Sequence, residues 1–318
     1  MYNFSRVTSS ILFVLIALST LEACSPADQD THTHVETTTL TLAMAPMVRD
    51  SAFSCKQTYE LGTTQQEISF TDFKLFLSDI TLLREGGGEV QTTIVTEEPW
   101  QYQGVALLDF EDASGSCANG TPQMRHHVRV EAPSHDDYIG VSATIGVPFE
   151  LNHEDVSALP SPLNLPSMFW SWQGGRKFFR LDGKLASGSG LRIHLGSTGC
   201  MGEQGDISEC LKPNRARFEL SGNDPTRHLI MLHVDALFDS LDLTPAMDTP
   251  DASVICMSGP DTPSCDPIFE SLGVNYDTGT IQEASQRFVT LSNKTFDPDA
   301  YMSSDDALSP PETTPHEH

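Results

Sequence analysis

Residues 178–195 read FFRLDGKLASGSGLRIHL. Two short apolar runs, Phe178 to Leu181 and Leu191 to Leu195, flank Ser187-Gly188-Ser189-Gly190, whose composition is that of a hairpin turn. In the second run Leu191, Ile193 and Leu195 share one face, which puts His194 on the other. A period of two predicts paired strands with one buried face. Working outward, the same kind of segment recurs between turn residues: Thr38 to Met44, Ile68 to Leu77, Gln91 to Val95, Val105 to Phe110, His127 to Glu131, Tyr138 to Ile145, Ala216 to Leu220 and Leu229 to Val234. Short strands at this spacing predict an all-β fold, an antiparallel β-sandwich or barrel-like body with long loops. Gly86-Gly87-Gly88 reads as an inter-strand loop, and only short helices are expected, at Ser78 to Leu83, Asp235 to Leu241 and Pro267 to Leu272.

The chain has 318 residues, with 18 Lys and Arg against 44 Asp and Glu, a formal charge of −26. Neutralising nucleic-acid phosphates requires basic clusters that this chain lacks, so DNA- and RNA-binding roles are excluded. There is no nucleophile elbow, phosphate-binding loop or dinucleotide fingerprint, and no nucleophile pairs with a base by spacing. The chain is read as a binder and not an enzyme.

The amino terminus accounts for the seven cysteines being odd in number. Arg6 precedes an apolar run from Ile11 to Leu18, the length of a signal-peptide core and too short to span a membrane. Leu21-Glu22-Ala23-Cys24 then resembles a bacterial lipobox, so residues 1–23 are read as a lipoprotein signal and Cys24 as the lipidated first residue, anchored in the outer membrane. A cleaved secretory signal without lipid would also export the chain. Residues 24–40, polar and Thr-rich, read as a tether, 41–296 as one β-rich body, and 297–318, with six acids and no Lys or Arg, as a disordered tail. Six cysteines remain for an oxidising compartment. Proximity pairs Cys200 with Cys210 and Cys256 with Cys265, which leaves Cys55 for Cys117. No C-x-x-C occurs, which argues against a zinc site and a covalent haem.

Candidate ligands concentrate between Gly146 and Cys210. His153 follows a strand-like segment and His194 occupies the polar face of its strand; imidazole nitrogen suits copper or zinc. Met168-Phe169-Trp170-Ser171-Trp172 gathers two of the three tryptophans. Such a cluster is ordinarily core, but it also suits a stacking face for sugar rings or an oxidisable indole beside a metal. His126, His127, His135, His228 and His233 read as packing or surface residues, and the acidic pairs at Asp136-Asp137 and Asp297-Pro298-Asp299 as solvated charge without EF-hand spacing.

Several separated motifs agree in order with one family. Ser78-Asp79-Ile80, Leu107-Leu108-Asp109-Phe110 with Cys117, Gly146-Val147-Pro148-Phe149, Asn152-His153, Pro162-Leu163-Asn164, Met168 to Trp172, His194 to Cys200, Cys210 and Pro213-Asn214 together resemble the MbnP family, over about residues 37 to 290. The resemblance implies an exported, periplasmic or surface copper-binding protein, paired with a di-haem enzyme of the cytochrome c peroxidase and MauG type that oxidises a tryptophan of the copper protein to kynurenine. The positions that match are Trp170 or Trp172 for the modification, and His153 and His194 with the modified residue for copper. One departure is Arg176, which follows Gly174-Gly175 where the family pattern has tyrosine; a cation there would bear on metal binding. The competing expectation is a carbohydrate-binding or adhesion module built on the aromatic pair.

Overall fold

The computed structural model describes residues 36–135, 137–244, 254–259, 262, 264–298 and 301. The expected leader, Cys24, most of the tether and the tail from 302 onward lie outside the described residues.

Two sheets enclose one core. The first runs in the order Val289–Thr295, His228–His233, Thr37–Val48, His127–Pro133, Thr93–Ile94. The second runs Ala216–Ser221, Tyr138–Ile145, Gln66–Arg84, Phe179–Leu185, Gly190–Leu195, Val254–Cys256. Leu42, Val128 and Ile230 of the first sheet join Phe73, Leu181 and Ile193 of the second in a single apolar cluster. Neither sheet closes on itself, so the all-β fold is a sandwich and not a barrel. Burying aromatic side chains such as Phe70, Phe73 and Phe179 contributes about 1.5–3 kcal/mol each before the cost of ordering the chain. Two pairings are parallel, Thr37–Val48 with His228–His233 and Gly190–Leu195 with Val254–Cys256. Those partners are far apart in sequence, where no tight hairpin can impose the antiparallel arrangement.

The spine of the second sheet is the 19-residue strand Gln66–Arg84. This corrects the helix expected at Ser78 to Leu83. Asp79 adopts φ 50°, and the pairing with Tyr138–Ile145 slips one residue there, which makes a bulge and not a helix start. Beyond it, Tyr138–Ile145 on one side and Gly88–Gln91 on the other supply the backbone partners that a helix would have found internally. The segment Asp235 to Leu241 yields a single 3-10 turn, Val234–Leu237, whereas Cys265–Leu272 is helical and ends at Gly273 with φ 79°.

Both edges of the folded body shift. The first strand starts at Thr37, inside the segment read as tether. Tyr301, inside the segment read as tail, is buried, donates its hydroxyl to the Met44 carbonyl (2.9 Å) and packs on His126 and Phe296. Disulfides join Cys55 to Cys117, Cys200 to Cys210 and Cys256 to Cys265, the pairs that proximity suggests.

Candidate functional site

Cross-strand register builds a charged row on the face of the second sheet that the apolar core does not use. Asp109 pairs with Lys74, Lys74 with Arg180, and Arg180 with His194, so four strands carry one line of polar side chains. Asp72 and Asp182 form a second line two residues along. Asp109 faces its counterion Lys74, but Lys74 also faces Arg180 and Asp72 faces Asp182, so the remaining attractions run along each strand or diagonally: Lys74 to Asp72 (2.9 Å), Arg180 to Asp72 (3.1 Å), Arg180 to Asp182 (2.7 Å) and His194 Nε2 to Asp182 Oδ1 (2.7 Å). Lys74 is 3% exposed and also meets Glu111 (2.7 Å) and Asp109 (3.2 Å). Burial, opposed by Lys74 and reinforced by Glu111, pushes Asp109 up to about 7. Burial acts against Asp182 as well, but the bond from His194 and the charge of Arg180 hold it below the usual carboxylate range. A cavity of about 680 Å³ lies beside the row, with Trp100, Lys74, Asp109 and Arg180 in its lining.

The bond from Asp182 fixes His194. With Nε2–H donated to the carboxylate, the lone pair is on Nδ1, which is buried and has no hydrogen-bond partner. Carboxylates orient metal-binding imidazoles through a hydrogen bond of this kind.

The tryptophans sit on a small hairpin, Phe169–Ser171 paired with Gly175–Arg176. Trp170 is half-buried, its ring centroid 6.4 Å from that of His194, and its indole Nε1 is buried without a partner. The indole lies against Gly196, where a Cβ would stand 2.6 Å from Cζ3. Trp172 is 40% exposed at the turn. Beside the hairpin is a groove of about 420 Å³ lined in part by Trp170, Gln173, Cys200 and Met257.

His153 caps the short helix Phe149–Asn152. Asn152 Oδ1 accepts the Arg176 N–H (2.7 Å), which turns its Nδ2 toward His153 Nε2 (3.1 Å); the acceptor nitrogen of that ring is therefore Nε2. Nε2 faces the Cys200–Cys210 disulfide, 3.3 Å from Cys210 Sγ and 4.0 Å from Cys200 Sγ. Burial lowers the His153 pKa, the Trp172 carbonyl opposes that shift and Arg176 adds to it, so the ring is neutral at neutral pH. Arg176 itself has no carboxylate partner among the described residues. It is 0% exposed, and its guanidinium binds the carbonyls of Leu163 (2.8 Å), Asn152 (2.8 Å) and Leu151. The cation that departs from the family pattern thus ties the His153 loop to the tryptophan hairpin.

The structure brings His194 to Trp170, and His153 to the carbonyl of Trp172 and the Cys200–Cys210 hairpin. Among the described residues, no set of three His, Cys, Asp or Glu ligand atoms within 4.8 Å contains both histidines; the set present is His153, Cys200 and Cys210. His194 Nδ1 and Trp170 Nε1 are nevertheless buried without a hydrogen-bond partner, and His153 Nε2 keeps its lone pair toward the Asn152 amide. The imidazole lone pairs of His194 Nδ1 and His153 Nε2 are donors of the kind copper takes, whereas the indole N–H has none to give, so the residues present fit a copper ion through the two histidines. The other histidines pack: His126 meets Tyr301 edge to face, His127 is pushed down to about 3 by burial and Arg125, and His228 and His233 hydrogen-bond Asp224 and Thr290. His135 lies ring to ring with Tyr138, and Asp137 is clamped by Arg84; Asp136 and Asp299 lie outside the described residues. Sequence reasoning missed Asp182, whose strand position opposite Arg192 and one step from His194 was the available signal, and Gly196, whose role depends on a contact distant in the chain.

Residues 37–258 are matched by the model of the family described as MbnP. The chain is also similar to a solved structure, MbnP from Methylosinus trichosporium, with 26% identity and a TM-score of 0.69 over 81% of this chain and 99% of that one. No curated protein sequence matches it.

Proposed function

The chain belongs to the MbnP family, and from that premise we propose that it is an exported copper-binding lipoprotein, anchored through Cys24 to the outer membrane, that captures or handles copper in the cell envelope. Trp170 is the indole converted to kynurenine, by a di-haem partner of the MauG type. Trp170 is favoured over Trp172 because it lies against His194 and has its indole nitrogen buried, whereas Trp172 is exposed. The observation that carries the reading is the lone pair of His194 Nδ1, fixed by Asp182 and buried without a partner beside Trp170.

The roles follow from the donors. Asp182 holds the His194 proton on Nε2 and leaves Nδ1 for the metal, while His153 offers the lone pair of its Nε2. An indole N–H has no lone pair to offer; opening the ring leaves an aniline nitrogen that has one. Copper bound there would be held by nitrogen donors of the type it favours. The protein is then a substrate of its partner and a binder, with no catalytic residue of its own. A stacking platform for sugars has less support, since the two indoles do not share an exposed face.

Production with the di-haem partner tests this. Peptide mass spectrometry is expected to find one oxygen gained and one carbon lost at Trp170, and His153→Ala and His194→Ala each to weaken copper binding. Unmodified tryptophans together with unchanged copper affinity in both variants would refute the proposal.

A further inference from the structure

We infer that the Cys200–Cys210 disulfide masks a sulfur-rich copper site that competes with the first for His153, and that its reduction creates a three-ligand Cu(I) centre from Cys200, Cys210 and His153 Nε2. The three ligand atoms already lie within 4.8 Å of one another. Around a three-coordinate ion with metal–sulfur bonds of about 2.3 Å and metal–nitrogen bonds of about 2.0–2.1 Å, sulfur and nitrogen ligands stand roughly 3.8 Å apart. The observed separations of 3.3 and 4.0 Å from Nε2 to the two sulfurs bracket that value.

Nitrogen chemistry and access both favour this reading. The Asn152 amide, oriented by Arg176, makes Nε2 the lone-pair nitrogen, so it is a ligand without loss of a proton. Cys210 is the one member of the three disulfides that is not buried. The two cysteines stand directly opposite on a hairpin, Thr198–Glu203 with Asp206–Lys212, whose strands pair with each other alone among the described strands. Opening this bond therefore leaves both sandwich sheets intact.

The reductant is a dithiol of the thioredoxin class. One of its thiolates attacks Cys210 Sγ and expels Cys200 as thiolate; its second thiol then resolves the mixed disulfide and releases Cys210. Two electrons pass from the dithiol, which becomes a disulfide, and its two protons go to the cysteines or to solvent. Cu(I) displaces the remaining thiol protons. Two thiolates with one imidazole suit Cu(I), a soft ion, whereas zinc in a structural site takes four protein ligands and finds three here.

The centre is independent of kynurenine, so its test uses the full mature chain made without the di-haem partner and carrying His194→Ala, which disables the site proposed above. The protein is reduced anaerobically with dithiothreitol and titrated with Cu(I) against a chromophoric Cu(I) chelator. The expected result is two new thiols, one additional Cu(I) per chain and a near-ultraviolet thiolate-to-copper absorption, all absent from the oxidised protein. Cys200→Ser/Cys210→Ser should abolish the band, and His153→Ala should keep both thiols but weaken Cu(I) binding at least tenfold. No added copper on reduction, or equal affinity with and without His153 at full thiol count, would overturn the inference. Because the thiols are counted directly, a variant that fails to fold is recognised by exposure of all six cysteines, and His153→Gln then serves in place of His153→Ala.

Discussion

Asp182→Asn is the sharpest probe of the copper reading, because Asp182 touches no proposed ligand atom and acts through the far side of the His194 ring. Its carboxylate accepts from His194 Nε2 at 2.7 Å on one oxygen and from Arg180 Nε at 2.8 Å on the other. Asparagine retains one acceptor oxygen, for which Arg180 and His194 compete, and its NH₂ cannot accept the imidazole proton. His194 then loses both its fixed orientation and the negative charge that makes Nδ1 a stronger donor. Loss of such a partner weakens metal binding about 10–100-fold, or about 1.4–2.8 kcal/mol. The fold suffers less: breaking a buried pair outright costs about 3–5 kcal/mol, but Arg180 keeps Asp72 at 3.1 Å and the amide keeps one hydrogen bond, so a loss of roughly 1–2 kcal/mol is expected. The pH dependence has a definite sign. The folded-state pKa of Asp182 is lowered, so its contribution is complete above the unfolded value and is lost as pH falls below about 4; the Asn variant lacks that acid limb. The assay is competitive copper titration of the kynurenine-containing protein, with Asp137→Asn, which disturbs the pair with Arg84 on another part of the sheet, as control. An Asp182→Asn protein that is folded by near-ultraviolet circular dichroism and binds copper within twofold of wild type would refute the orienting role.

Three other outcomes follow from the same geometry. Gly196→Ala sets a methyl group 2.6 Å from Trp170 Cζ3 and 2.9 Å from the Arg176 carbonyl, so it should cost about 1–3 kcal/mol in thermal unfolding and shift the tryptophan emission; an unchanged spectrum and melting temperature would contradict the packing described. Arg176→Met strips the Leu151, Asn152 and Leu163 carbonyls of their donor, and urea unfolding should show a loss of roughly 3 kcal/mol or more. Asp109, at about 7 when folded, holds a proton that the unfolded chain gives up near pH 4; stability should therefore fall as pH rises from about 4 to 7, and Asp109→Asn should flatten that slope in pH-dependent unfolding.

Alternation and turn composition sufficed to find most of the strands, since one buried face per strand writes itself into a period of two. The Gln66–Arg84 strand defeated that rule at both ends of its argument. Its middle residues are buried on both faces, and its bulge at Asp79 breaks the period where Ser78 to Leu83 mimics a helix. Parallel pairing with Val254–Cys256 has no local signal either. At the site, ligand-type residues were visible as types, but what separates Trp170 from Trp172 is an indole lying on Gly196, a contact across 26 residues of sequence. The charged row was hidden for the same reason: Asp109, Lys74, Arg180 and His194 are scattered along the chain and become neighbours only through register.

The guanidinium of Arg176 rests on peptide oxygens, and this sets its response to the surroundings apart from that of every carboxylate-paired cation in the molecule. Acid cannot discharge a carbonyl, its own charge persists up to about pH 10, and at 0% exposure salt has little access to it. The Lys74 cluster, by contrast, loses its anions in acid. On this scaffold the loop that carries His153 would hold its shape through swings of pH and salt that loosen the ion pairs around Lys74.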